Sequence, residues 1–224
     1  MARTIRGAAF VSLDGVMQAP GGPGEDTQGG FTQGGWVFRI GDPGIEETLG
    51  RLFGQPFDLL LGRRTYDIFA AYWPYVTGEA KALGTAFDRA SKYVLTHATH
   101  RLEWENSHAL AGIADVARIK AGAGPDIVIQ GSSTLYPPLL AAGLIDELIV
   151  MTYPLMLGRG KRLLGEGTPV GRLDMTDHQV TAKGTVIATY RPAGGLPPYP
   201  ADAPPPSTSA REEQRQKRLR EGRW

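Results

Sequence analysis

Two short stretches of this chain share one design: a run of aliphatic residues, then glycine, then small or basic hydrogen-bond donors at the start of a helical pattern. The first is Leu59-Leu60-Leu61-Gly62-Arg63-Arg64-Thr65-Tyr66, the second Ile127-Val128-Ile129-Gln130-Gly131-Ser132-Ser133-Thr134-Leu135. The chemistry that suits such a stretch is anion binding. The first backbone N–H groups of a helix have no partner within it and the helix dipole places partial positive charge there, so phosphate is held by the backbone itself. Glycine lets a ligand reach that backbone. Arg63 and Arg64 add planar charge-assisted donors, and Thr65, Ser132, Ser133 and Thr134 add hydroxyls. Two such turns would grip the two ends of a dinucleotide. The same residues also suit a purely structural role, with Gly62 and Gly131 permitting tight strand-to-helix turns and Thr65 and Ser132 acting as N-caps. Taken alone, the two stretches leave both readings open.

Other chemistries find less support. Gly158-Arg159-Gly160-Lys161-Arg162 has the look of a P-loop, but Leu155 stands where its first glycine belongs and Arg162 replaces the Ser or Thr. No Gly-x-Gly-x-x-Gly follows the first strand pattern, which argues against a Rossmann site. Of four histidines, His97 and His100 are three apart without helical context or a third ligand, so no metal site is expected. No Gly-x-Ser-x-Gly elbow marks a serine hydrolase. With no cysteine there is no disulfide framework, thiolate metal site or cysteine nucleophile, a composition that fits a reducing cytoplasm.

The elements that must position these turns read as an α/β fold with a largely parallel sheet, since strand-length apolar runs alternate with helical patterns. Strands are expected at residues 5–12, 57–61, 92–96, 126–130 and 145–153, and a closing hairpin pairs 178–182 with 185–190 around Lys183-Gly184. Helices are expected at 43–53, with Asp42 as N-cap and Pro43 at its first position, and at 64–71, 113–121 and 133–142. Between the first strand and first helix, residues 13–41 read as one long glycine-rich loop carrying Phe31, Trp36 and Phe38. Connections of that length inside a compact domain are often functional, the ordinary length being about 4–6 residues. The 224 residues divide into a body, 1–193, and a Pro-rich, basic, flexible tail, 194–224, with too little apolar surface to offset its ordering entropy. A net charge of +1 gives no reason to expect nucleic acid or an anionic membrane as partner, and a small molecule is the expected ligand. No uninterrupted apolar run approaches the roughly 18–20 residues of a membrane helix, and the N-terminus lacks a signal-peptide pattern, so a soluble cytoplasmic protein is expected.

The order and spacing of four motifs carry a resemblance. Val11-Ser12-Leu13-Asp14-Gly15, Leu61-Gly62-Arg63-Arg64-Thr65-Tyr66, Gln130-Gly131-Ser132-Ser133-Thr134-Leu135 and Gly158-Arg159-Gly160-Lys161-Arg162-Leu163 resemble the dihydrofolate reductase superfamily, and within it the branch sharing the reductase domain of riboflavin biosynthesis, the RibD C-terminal domain. The resemblance spans about residues 3–192. It implies a three-layer fold with a central, mostly parallel sheet and a C-terminal antiparallel hairpin, NADPH as cofactor and a homodimer. It also implies hydride transfer to a small heterocycle similar to a pterin or to 5-amino-6-(5-phosphoribosylamino)uracil. Under it, Gly62, Arg63, Arg64 and Thr65 hold the adenosine-side phosphates, with Thr96 and His97 near the 2′-phosphate. Gly131, Ser132, Ser133, Thr134 and Leu135 hold the pyrophosphate, and Asp14 orients the substrate beside the nicotinamide. Glu46 is the alternative acid, reached by counting back from Gly62, although it equally suits a first-turn residue favouring the helix dipole. Phe31 and Trp36 either cover a flat heterocycle or pack the long loop against the core. Neither phosphate turn has an adjoining acid to bind the free ribose hydroxyls of NADH. The rival reading is a non-catalytic nucleotide-binding protein that holds a partner with its basic tail.

Overall fold

The computed structural model describes residues 2–98, 100–203 and 209–223. Strands β1 (Ile5–Ser12), β2 (Phe57–Gly62), β3 (Lys92–Leu95), β4 (Ser107–Leu110), β5 (Asp126–Gln130), β6 (Glu147–Tyr153), β7 (Leu173–Val180) and β8 (Val186–Pro192) form one sheet in the order β4-β3-β2-β5-β1-β6-β8-β7. The six strands from β4 to β6 are parallel, while β8 runs antiparallel to both β6 and β7. This is the expected mostly parallel sheet closed by a C-terminal antiparallel hairpin.

Both faces of the sheet are covered, and the strands show why. Along β2, Leu59 and Leu61 enter one core while Leu60 enters the other; along β5, Val128 faces the first and Ile127 and Ile129 the second. Strand side chains alternate, so a run that is apolar at every position needs cover on both sides. The first core is packed by α1 (Trp36–Ile40), α2 (Glu46–Phe53), α3 (Arg63–Ala70) and α4 (Lys81–Arg89), and the second by α5 (Ile113–Ala121) and α6 (Tyr136–Ala141). Asp42 ends the loop before α2 as expected: its carboxylate accepts from Gly44 N at 2.9 Å and from the Thr181 hydroxyl at 2.6 Å, tying this helix to the hairpin turn.

Several elements differ from the sequence expectation. The loop 13–41 contains α1 and is pinned by a bridge between Val16 and Arg162. Neither α4 nor β4 was expected from pattern. In α4 a glycine interrupts the helical signal, because a Cβ at Gly84 would lie 2.5 Å from Val76 and 2.7 Å from the Trp73 carbonyl. The hairpin strands are longer than expected, and Gly184 turns between them with φ +84°. Hydrogen bonds continue past β8 to Gly194, whose carbonyl accepts from Arg172 N at 2.8 Å, so the first tail residue still belongs to the hairpin. Within the tail, α7 (Ala210–Arg220) buries no residue, and Ser209 caps it through Glu212 N at 3.1 Å. Pro204-Pro205-Pro206 and Trp224 lie outside the described residues. No helix among the described residues is long and apolar enough to cross a membrane.

Candidate functional site

All six parallel strands end on the same edge of the sheet, and there the motif residues converge. Ligands of open α/β sheets bind beyond the carboxyl ends of their strands. The opposite edge is stitched by charge: Arg3 pairs with Asp58, Arg6 with Asp126 at 2.7 Å and Glu147 at 2.8 Å, and Lys120 with Asp146 at 2.7 Å.

The two glycine turns are joined into one structure. The Ser132 hydroxyl accepts from Gly62 N at 2.7 Å and donates to Thr65 Oγ1 at 2.7 Å. Ser132 thus stands at the N-cap position of its own turn but spends its hydroxyl on the other, and Thr65 is not a cap, because it is the third residue of α3. Two backbone features make the junction possible. Gly131 has φ +92° and would drive a Cβ to 2.9 Å from the Thr65 methyl, while Ser132 itself lies in the left-handed region at φ 58°. Non-glycine residues enter that region only when their surroundings hold them there, often at ligand clamps.

The adjacent arginines point to different sides. Arg63 leans back on Asp67, with Nε 2.9 Å from its carboxylate, and donates from Nη1 to the His100 carbonyl at 2.9 Å, so it faces the segment that follows β3 and contains Thr96 and His97. The exposed partner Asp67 is an acid beside this turn that strand and helix patterns did not bring into view; an exposed i,i+4 pair of this kind is weak and leaves the guanidinium accessible. Thr96 accepts from Ala98 N at 3.0 Å through its hydroxyl, and His97 is exposed. Arg64 faces the long loop: it donates to Gln28 Oε1 and lies 3.6 Å from Asp26. Asp26 also binds Lys161 Nζ at 2.5 Å, and Gln18 reaches from the same loop to Lys161 N at 3.0 Å. Burial raises the Asp26 pKa, but the bond from Lys161 and the charges of Lys161 and Arg64 outweigh it and hold the carboxyl below its ordinary value.

Asp14 ends the first strand's motif with both carboxylate oxygens occupied. One accepts from the Ser12 hydroxyl at 2.6 Å and Leu157 N at 3.0 Å, the other from Gly158 N at 2.8 Å. The Ser12 hydroxyl, then these backbone N–H groups, hold its pKa below the ordinary carboxylate value. Such a group is poorly suited to donate a proton; it fixes the loop that follows β6. Arg162 Nη1 closes the same tie by donating to the Asp14 carbonyl at 2.8 Å. Between that loop and the start of α6 lies an open cleft of about 510 Å³, lined by Ser133, Thr134, Pro137, Pro138, Lys161, Arg162, Gly165, Glu166 and Gly167. The segment that fails as a P-loop thus supplies two cations to the wall opposite Ser133 and Thr134. Leu135 points away from this cleft, buried in the second core.

Three candidates stand outside the cluster. Glu46 is exposed in the first turn of α2, because Ile45, Thr48, Leu49 and Leu52 set the inward face and leave Glu46 and Glu47 turned outward. Phe31 and Trp36 are buried in the first core; Trp36 donates from Nε1 to the Gln18 carbonyl at 2.8 Å and meets Tyr153 edge-on at 5.4 Å. Both rings pack the long loop down instead of standing open to a ligand. Gln18, Asp26 and Gln28 were missed because they sit in a stretch without periodicity, where only the excess of polar side chains in a long loop hinted at them.

The family model described as RibD C-terminal domain matches residues 3–187. The chain is 24% identical over 183 residues to the uncharacterized protein YyaP of Bacillus subtilis, covering 80% of this chain and 90% of that one. Among solved structures it is similar to a putative riboflavin biosynthesis protein from Shewanella sp. PV-4, with TM-score 0.65, 18% identity and coverage of 86% and 99%. It is also similar to a pyrimidine reductase-like protein from Corynebacterium diphtheriae, with TM-score 0.54, 16% identity and coverage of 85% and 92%. Dihydrofolate reductase from Enterococcus faecalis, solved with NADP(H), shares the fold at TM-score 0.55 and 14% identity, covering 86% of this chain and 99% of that chain.

Proposed function

This chain belongs to the RibD C-terminal domain family, and on that premise we propose that it is an NADPH-dependent reductase that passes a hydride to a small, planar heterocycle. The observation that carries this reading is the double turn locked by Ser132, with cations on each side of it. The residues fit an anionic dinucleotide. Arg63 faces the segment after β3, Arg64 and Lys161 face the long loop, and Lys161 and Arg162 line the cleft beside Ser133 and Thr134. Gly15 and Gly158 have φ +80° and +73° with open space where a Cβ would stand, so both serve the left-handed turns that bring the end of β1 and the loop after β6 together.

The hydride chemistry is supplied by the nicotinamide when NADPH is bound. This chain's residues bind and orient. Arg63, with Thr96 and His97 on its side, holds the 2′-phosphate; Thr65, Ser133 and Thr134 hold the bridging phosphates. Asp14 acts as a positioning residue that keeps the Leu157–Gly158 backbone against the end of β1. The substrate is a pterin- or aminouracil-like heterocycle whose reduced group lies beside the β1 end. The homodimer is proposed on the exposed edge strand β7, where Leu173, Met175, Val180 and the facing Val186 leave an apolar surface suited to a second copy; light scattering on the full chain tests it.

The decisive experiment is titration of the protein with NADPH, followed by absorbance while pterins, aminopyrimidines and quinoid compounds are offered. Binding with consumption supports the reductase. Binding without consumption across the panel favours the alternative of a nucleotide-binding protein, and no binding removes both.

A further inference from the structure

Strands β3 and β4 are parallel, so the chain that joins them must run from the carboxyl end of one back to the start of the other. Such connections are usually helical, but residues 96–106 form neither helix nor strand among those described. A segment without its own hydrogen-bond ladder is placed by its neighbours. Here the ties meet at Tyr66 of α3, which is buried in the first core. Arg63 Nη1 donates to the His100 carbonyl at 2.9 Å, and the Tyr66 hydroxyl accepts from Trp104 N at 2.8 Å. The Arg63 guanidinium lies over the Tyr66 ring, 5.8 Å from its centre. The indole of Trp104 is held from elsewhere: Nε1 donates to Asp88 of α4 at 2.8 Å, and Lys92 Nζ of β3 stands 4.3 Å from the ring centre. His97, His100 and Arg101 are exposed along the same segment. Tyr66 therefore touches both the arginine and the segment that faces it, the first with its ring and the second with its hydroxyl.

We propose that Tyr66 is a positioning residue that sets the gap between Arg63 and residues 96–104, and through it the preference for a nucleotide that carries a 2′-phosphate. A phenylalanine would fill the same place in the core and support the guanidinium equally. What the hydroxyl adds is the bond to Trp104 N, a buried donor that would otherwise go unpaired and let the segment drift from Arg63. The inference rests on the reading of Arg63 as the 2′-phosphate contact, but it does not require turnover or a nicotinamide.

The test uses the full chain as wild type, Tyr66→Phe, Arg63→Ala and the double variant, titrated calorimetrically with adenosine 2′,5′-bisphosphate and 5′-AMP, which differ only in the 2′-phosphate. The wild type should favour the bisphosphate. Tyr66→Phe should weaken the bisphosphate by roughly threefold to tenfold, the range of one hydrogen bond, and 5′-AMP by less than about twofold. In the Arg63→Ala background the same substitution should leave the ratio of the two affinities unchanged, because the gap has lost its other wall. A purely structural tyrosine gives a different result: both nucleotides weaken alike, or the effect on the ratio persists without Arg63, and either outcome overturns the proposal. Circular dichroism checks folding. If Tyr66→Phe does not fold, hydrogen exchange on the wild type decides: the bisphosphate should protect peptides within residues 96–106 more than 5′-AMP does, and equal protection overturns the proposal. Titration of the wild type with NADPH separates the two readings. Preference for the bisphosphate without NADPH binding counts against the reductase alone, and NADPH binding without that preference counts against the role of Tyr66 alone.

Discussion

Replacing Ser132 with alanine should destabilise the protein and weaken its grip on NADPH, because one hydroxyl joins the two phosphate turns. The substitution removes two bonds of 2.7 Å, one accepted from Gly62 N and one donated to Thr65. Each exchange is worth about 1 kcal/mol, and the Gly62 N–H, on a strand buried throughout, is left without its acceptor. The sum is about 2–3 kcal/mol, which for a domain of this size lowers Tm by roughly 4–12 °C. Ser132→Gly loses the same bonds but also the penalty of a side chain at φ 58°, about 1 kcal/mol, so it should melt above Ser132→Ala. Thermal denaturation monitored by circular dichroism, with fluorescence titration of NADPH on both variants, reads these effects. If Ser132→Ala melts with the wild type and binds NADPH equally well, the two turns are independent and the reasoning from their union fails.

Arg63→Ala should reduce NADPH affinity about tenfold to a hundredfold while leaving NADH little changed, the effect of one charge-assisted contact to the 2′-phosphate, whereas Arg64→Ala should weaken both cofactors alike. Equal losses of both cofactors in Arg63→Ala would refute its assignment to the 2′-phosphate. Asp14→Asn should lower turnover with NADPH affinity preserved, and unchanged turnover excludes the positioning role. Because its folded pKa is lowered, the contribution of Asp14 to stability is complete above the ordinary carboxylate range and is lost as pH falls through the lowered value; Tm against pH for wild type and variant should converge in acid. Lys92 is fully buried, donating to the Phe87 and Asp88 carbonyls at 3.0 and 2.9 Å, and burial pulls its pKa from 10.5 down to about 8. The folded state then binds fewer protons between those values, so wild-type stability should gain on that of Lys92→Met as pH rises from about 8 towards 10, and a constant difference in Tm would contradict this. Deleting residues 196–224 should leave Tm and NADPH affinity nearly unchanged, since α7 buries none of its residues; a large fall in Tm would show that the tail packs on the body.

What could be read from the sequence was what depends on local pattern. The aliphatic runs at Leu59-Leu60-Leu61 and Ile127-Val128-Ile129 required strands covered on both faces, and the helices around Ile45 and Val116 followed from spacing. The two turns were legible as anion sites, but their union was not. It depends on a register that lays β2 directly beside β5, and nothing in either stretch states that its partner is seventy positions away. The same limit hid α4 and β4. Gly84 weakens the helical signal for the sake of a close approach to Val76, and the four residues of β4 are too few for alternation to show.

Acidic residues were the least legible of all, because what an acid does depends on where its donors lie. In the sequence Asp14 leads as the acid of the site and Glu46 is its alternative. In the fold, Glu46 turns outward in the first turn of α2, while Asp14 gathers a hydroxyl and two backbone N–H groups from segments more than a hundred residues apart. Asp26 attracted no attention in a stretch of glycine and proline, yet it holds Lys161 and lies within reach of Arg64. A cofactor phosphate that recruits Arg64 must therefore compete with, or insert beside, a carboxylate already there. Removing that carboxylate frees two cations for the ligand but also releases the loop that positions them. The sign of the net effect on affinity distinguishes a loop that competes with the cofactor from one that completes its site.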